Sequence, residues 1–189
     1  EEKGHLFVTT PFNKGASPVD VSLSLPELQP QIDQLLEALS FVHGFGIAHG
    51  ELNPASILVS PDNQILITNF TRAPHNHDLS NTVYLSPQLR DGQAADIPAD
   101  IYALGALLYK IIANQDWRAD GTFAVDKPIT TDLKHYLEAM LSPAAQDRPT
   151  DLATLRRLIN ENNGQGTSES LENITPSLFS KATSDDSFQ

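Results

Sequence analysis

The sequence predicts a mainly α-helical domain, a helical bundle carrying one small β-hairpin. Three observations predict it. Over 27–43, Ile32, Leu35, Leu36, Leu39 and Val42 recur at helical spacing and make one apolar face. Residues 99–113 are almost all apolar, with Ile101, Tyr102, Leu104, Leu107, Leu108, Ile111 and Ile112, the pattern of a helix buried on most sides. Between these helices, 56–60 and 64–68 are short apolar runs on either side of the turn signal Pro61, Asp62, Asn63, so they read as two paired strands.

The remaining elements follow in order. Leu6, Phe7 and Val8 read as a short strand cut off by Pro11, and 13–26, with Gly15, Pro18 and Pro26, read as loop. Gly44 and Gly46 end the first helix. Residues 71–82 are polar without a period, and 114–128 are irregular, with Trp117 placed to anchor them. Thr130 or Thr131 can cap a helix running to about 141, with Asp132 favourable in its first turn. Pro143 interrupts, and Thr150 and Asp151 open a last helix to about 160, whose inner side carries Leu152, Leu155 and Leu158. From 161 onward Gly, Ser, Thr, Asn and Asp dominate, the composition of a disordered tail or linker. Its Ser and Thr hydroxyls are possible phosphate acceptors by composition alone.

Composition narrows the function classes. With 189 residues and 40% apolar content, the chain can bury one ordinary core. The net charge of −12 argues against a nucleic-acid or anionic-membrane surface, since phosphates attract basic patches. No cysteine is present, which excludes disulfides, thiolate metal sites and a Cys nucleophile. No stretch approaches the 18 or so apolar residues that read as a transmembrane helix. His75, His77 and Asp78 lie close together, but a protein zinc site draws on three or four ligands, so they read as a solvated loop.

Five separated strings carry chemistry when taken together. Residues 43–58 read H-G-F-G-I-A-H-G-E-L-N-P-A-S-I-L. Eleven residues after Leu58 come Asn69, Phe70 and Thr71. Then follow Tyr84, Leu85, Ser86, Pro87 and Gln88; next, 100–105 as D-I-Y-A-L-G; and last, Asp147, Arg148, Pro149 and Thr150. In this order and spacing they resemble the eukaryotic-type protein kinases in their bacterial Ser/Thr form. That family has a catalytic loop H-R-D-L-K-P-x-N, then D-F-G, then a segment ending in P-E, then a buried central helix opening D-x-x-x-x-G, and R-P-T before the last helix.

The resemblance implies a kinase-like C-terminal lobe over 13–162. Residues 1–12 would be the last N-lobe strand and a hinge remnant, and 163–189 a tail. Most of the N-lobe, with its glycine-rich loop and lysine, would lie before Glu1. His49 and Phe70 match positions that stack in the family's hydrophobic spine. Asp100 matches a helix-start carboxylate that holds the catalytic-loop backbone, and Arg148 matches the late arginine. Thr10, Phe12 and Leu58 match hinge and adenine-floor positions, and Ile57, Leu107 and Ile111 match apolar positions beneath the adenine.

The departures fall where the family does its chemistry. Ser56 stands at the loop Asn and Asn69 at the D-F-G Asp, the two Mg²⁺-binding positions; neither carries the charge a hard cation prefers. Asn53 replaces the loop Lys that faces the transferred phosphate, at a place where electrostatic stabilisation contributes most. Gly50 replaces the Arg that reads a phosphorylated activation loop. Glu51 replaces the catalytic Asp by a carboxylate one methylene longer. Thr71 replaces a permissive Gly, and Gln88 replaces the Glu that pairs with Arg148.

The resemblance with these departures implies a pseudokinase: a protein-binding, scaffold or regulatory signalling module with no cofactor. Its partner would be another protein or other domains of a longer chain. Neither a nucleic acid nor a membrane is expected to bind this chain, and the cytoplasm is the expected compartment. The alternative is an atypical Ser/Thr kinase, joined to an N-lobe outside this chain, with Glu51 as base and ATP and Mg²⁺ as cofactors. A helical domain unrelated to kinases is the third reading.

Overall fold

The computed structural model describes residues 14–70, 79–118 and 122–164. Thr10, Phe12, the strand expected at 6–8, the histidines at 75 and 77, and the tail beyond 164 lie outside the described residues.

The described residues open with β1 (Ser17–Pro18), α1 (Gln29–Gly44), β2 (Ile57–Val59) and β3 (Ile65–Ile67). They continue with α2 (Pro87–Arg90), α3 (Ile97–Ala113), α4 (Thr131–Met140) and α5 (Leu152–Asn162). Short 3₁₀ turns occupy Pro54–Ser56, Leu79–Tyr84 and Ala145–Asp147.

The hairpin forms as the sequence predicts, with Ile57, Leu58 and Val59 opposite Ile67, Leu66 and Ile65. The segment read as loop before the first helix adds a third strand. Ser17 and Pro18 pair antiparallel with Val59 and Leu58, giving the order β1-β2-β3. Two residues carry no period, so only the exposed edge of β2 could reveal this pairing. Gln34 on α1 covers the opposite edge: its Oε1 accepts from Ile65 N–H at 2.9 Å.

The helix starts follow their caps. α1 begins two residues later than the periodicity suggests, because Glu27 is engaged in a turn, accepting from Ser24 N–H at 2.8 Å and from the Ser24 hydroxyl at 2.6 Å. α3 begins earlier, at Ile97, because Asp96 caps it by accepting from Ala99 N–H at 2.8 Å. Pro98 is harmless there, since a first-turn N–H has no helical partner. Thr130 caps α4 and Asp151 caps α5. The sequence reading missed α2, a four-residue helix capped by Ser86.

α3 is the axis of the molecule: Ile101, Tyr102 and Leu104 are wholly buried, and α4 packs along it. Gly105 makes that approach possible, because a Cβ there would stand 3.1 Å from Met140 Cβ. α1 packs on α5 and on β3, which places the chain leaving α1 beside the start of α3. Trp117 anchors the irregular segment after α3. Its indole N–H donates to the Tyr102 hydroxyl at 3.2 Å, and its ring meets Tyr109 edge-on at 5.2 Å.

Candidate functional site

The site grows from the end of α1. Phe45, Gly46 and Ile47 N–H groups fold back onto the Val42 and His43 carbonyls, closing the helix and turning the chain into the loop at 48–56. The loop is held from below by Asp100, in the first turn of α3 and 1% exposed. One carboxylate oxygen accepts from His49 N–H at 2.7 Å, the other from Gly50 N–H at 2.8 Å. His43 Nε2 lies 2.9 Å from the first of these oxygens and donates to it. Gly50 sits at φ +90°, in a region that L side chains rarely adopt, so the loop bends there without backbone strain.

His49 is buried, and its neighbours fix its tautomer. Nε2 faces the Thr68 carbonyl at 2.8 Å, which can only accept, so Nε2 carries the proton. Nδ1 accepts from Glu51 N–H at 3.2 Å. The ring packs against Phe70, with centroids 4.6 Å apart and planes tilted by 48°. Phe70 remains 44% exposed on its other side.

Burial pushes the His49 pKa below its ordinary 6.5, although the Thr68 carbonyl and the Asp100 and Glu51 carboxylates oppose the shift. As pH falls, the unfolded chain therefore takes up this proton before the folded one. The stabilisation is whole above about pH 6.5 and is lost as pH drops below it, by up to about 1.4 kcal/mol per pH unit. Denaturant titrations between about pH 7 and 5.5 should show that slope, and His49→Gln should abolish it whatever its effect on absolute stability.

Asn53 and Ser56 form a closed reciprocal cap on the turn Pro54–Ser56. Asn53 Oδ1 accepts from Ala55 N–H at 2.9 Å and Ser56 N–H at 3.3 Å, and its amide donates to the Glu51 carbonyl at 2.8 Å. The Ser56 hydroxyl donates to the Asn53 carbonyl at 2.9 Å and accepts from Asn53 N–H at 3.1 Å. Ser56 is 1% exposed. Both side chains are thus engaged with the loop's own backbone. Thr68 N–H donates to the Ser56 carbonyl at 2.8 Å, bringing Asn69 to the same end of the hairpin. Asn69 is exposed and left-handed, at φ +65°, a conformation Asn tolerates better than most residues. Glu51 is half-buried. Leu58 is half-buried in β2, while Ile57, Leu107 and Ile111 are buried.

A second knot surrounds Arg148. Its guanidinium donates to the Ser142 carbonyl at 2.8 Å, the Pro98 carbonyl at 3.0 Å, Gln88 Oε1 at 2.7 Å and the Pro143 carbonyl at 3.2 Å. It also lies 5.0 Å above the Tyr102 ring.

These elements match a known family over most of their length. The model of the protein kinase domain matches residues 16–162. The chain belongs to the protein kinase domain family. Its relatives include bacterial Ser/Thr kinases. It is 30% identical over 121 residues to serine/threonine-protein kinase PknB of Mycobacterium tuberculosis, covering 58% of this chain and 18% of that protein. It is 32% identical over 120 residues to a probable PknB of Lactococcus lactis, covering 59% and 18%. A probable serine/threonine-protein kinase of Clostridium acetobutylicum is 27% identical over 157 residues, covering 75% and 23%. The chain thus spans about a fifth of the length of these relatives.

In this kinase domain, the sequence marks His43 only as the end of the first helix and the start of a string, and Thr68 only as the end of the second strand; neither they nor Gln34 show a role in the site. The available signal was His43 at the last turn of an amphipathic helix, but its acceptor is 57 residues away. Among the described residues, no group of three or more His, Asp or Glu is placed to hold a metal ion, and no helix is long and apolar enough to cross a membrane.

Proposed function

We propose that this kinase domain works as a pseudokinase-type module, a protein-binding and regulatory surface on which phosphoryl transfer has been given up. The observation that carries the reading is the Asn53–Ser56 cap. A magnesium ion needs oxygen ligands with freedom to face it, and phosphoryl transfer needs fixed positive charge. At these positions stand a buried hydroxyl and a neutral amide that bond each other's backbone. Asn69 adds an amide oxygen without charge. The set does not fit Mg²⁺. Glu51 keeps a carboxylate at the base position, but a base alone does not neutralise a phosphate.

The test is thermal melting of the full-length protein with ATP, with and without Mg²⁺, alongside a labelled phosphoryl-transfer assay. A nucleotide at 100 times its Kd would add about 2.7 kcal/mol, several degrees in midpoint. The expected result is no Mg²⁺-dependent shift and no transfer. Transfer that disappears in Glu51→Ala would overturn the reading in favour of an atypical Ser/Thr kinase.

A further inference from the structure

The three most exposed large apolar side chains among the described residues lie close together. Phe41, Phe45 and Ile47 are 67%, 70% and 51% exposed, all within seven positions at the end of α1. Phe41 and Phe45 meet edge to face with centroids 5.1 Å apart. Their display is rigid, because the N–H groups of Phe45, Gly46 and Ile47 are all bonded back onto Val42 and His43. Ile47 continues the patch into a groove of about 620 Å³, walled by 46–48 on one side and 94–98 on the other. A clustered aromatic patch leading into a groove is the form of an interaction site rather than of scattered surface apolar residues.

Charge selects the occupant. Asp96 lies in the groove wall, Asp91 is exposed in the loop leading to it, and Glu37 is exposed one helical turn before Phe41. One Asp96 oxygen caps α3 and the Arg148 guanidinium lies near it, so Asp91 and Glu37 are the freer anions; the exposed cation of the same loop region is Arg90, and the whole chain carries −12. That field disfavours a second copy of the chain and favours a basic partner.

We propose that this face docks a basic segment of a partner protein, with large apolar side chains seated on Phe41, Phe45 and Ile47 and flanking Lys or Arg facing Asp91, Asp96 and Glu37. The inference rests on the protein-binding reading above and names the surface and partner chemistry for it.

The experiment uses the full-length protein and two short synthetic amphipathic peptides with the same Leu/Phe pattern, one flanked by Lys and one by Glu. The Lys peptide should bind, and bind more weakly as salt rises, while the Glu peptide should not. Phe41→Ser/Phe45→Ser should weaken binding about tenfold or more. Both positions are exposed, so the variant should melt with the parent protein. Equal binding of both peptides, or binding that ignores the double substitution, would overturn this face as the site and leave the protein-binding reading standing. Binding of neither peptide, with self-association in sedimentation that the double substitution removes, would overturn the basic partner in favour of a second copy. Phosphoryl transfer in the separate ATP assay would instead strike the reading on which this inference rests.

Discussion

Asp100→Ala should lower stability by about 3–5 kcal/mol and the melting midpoint by roughly 10 °C. The carboxylate is buried, and its two oxygens satisfy His49 N–H, Gly50 N–H and the His43 ring. Alanine leaves the His49 and Gly50 N–H groups buried without an acceptor, at about 1–3 kcal/mol each, and takes from the half-buried His43 ring its partner. Asp100→Asn keeps one carbonyl oxygen but turns an NH₂ toward a donor, so it should recover only part of the loss. A double-mutant cycle with His43→Ala, read by urea denaturation, should give a coupling of about 1 kcal/mol or more, because both residues belong to one network. A loss no larger than that of an ordinary surface substitution would show that the loop at 48–56 does not depend on α3.

Arg148→Ala should follow, at about 3 kcal/mol, measured by the same denaturation. The guanidinium ties α2 through Gln88, the start of α3 through Pro98, and the turn at Ser142 and Pro143 into one piece. Its planar fork of donors matches four acceptors in different directions, which a point-like ammonium cannot do. Arg148→Lys should therefore lose most of the same stability. Gln88→Glu is the informative contrast. It would make an ion pair with Arg148, but it removes the 2.5 Å bond from the Gln88 amide to the Pro143 carbonyl and sets a carboxylate against that carbonyl. The two changes should nearly cancel, within about 1 kcal/mol, because desolvating a charge offsets much of its attraction. A large gain would mean that the amide is a defect in this fold rather than a settled substitute.

Much of this was legible in the chain. The apolar faces of α1 and α5 follow from spacing, because a helix repeats every 3.6 residues and one side must be buried, and the burial of α3 follows from its being apolar on most sides. Local side-chain chemistry narrows the caps to Thr130 or Thr131 for α4 and to Thr150 and Asp151 for α5, and the structure selects Thr130 and Asp151. The ordered strings place His49, Asp100 and Arg148 in one family framework, and the substitutions at Gly50, Asn53, Ser56 and Asn69 are visible as letters. Local and periodic information is what one sequence carries. The third strand, the His43–Asp100 contact, the His49 tautomer and the closure of Ser56 onto Asn53 were not legible. Each depends on which distant group arrives within hydrogen-bond reach. Ser17 meets Val59 across 42 positions and His43 meets Asp100 across 57. The exposed pair Phe41 and Phe45 shows the same limit. Residues 27–43 give the stripe that α1 buries and leave Phe41 off it, but only the tertiary structure shows that Phe41 and Phe45 meet each other and stay exposed.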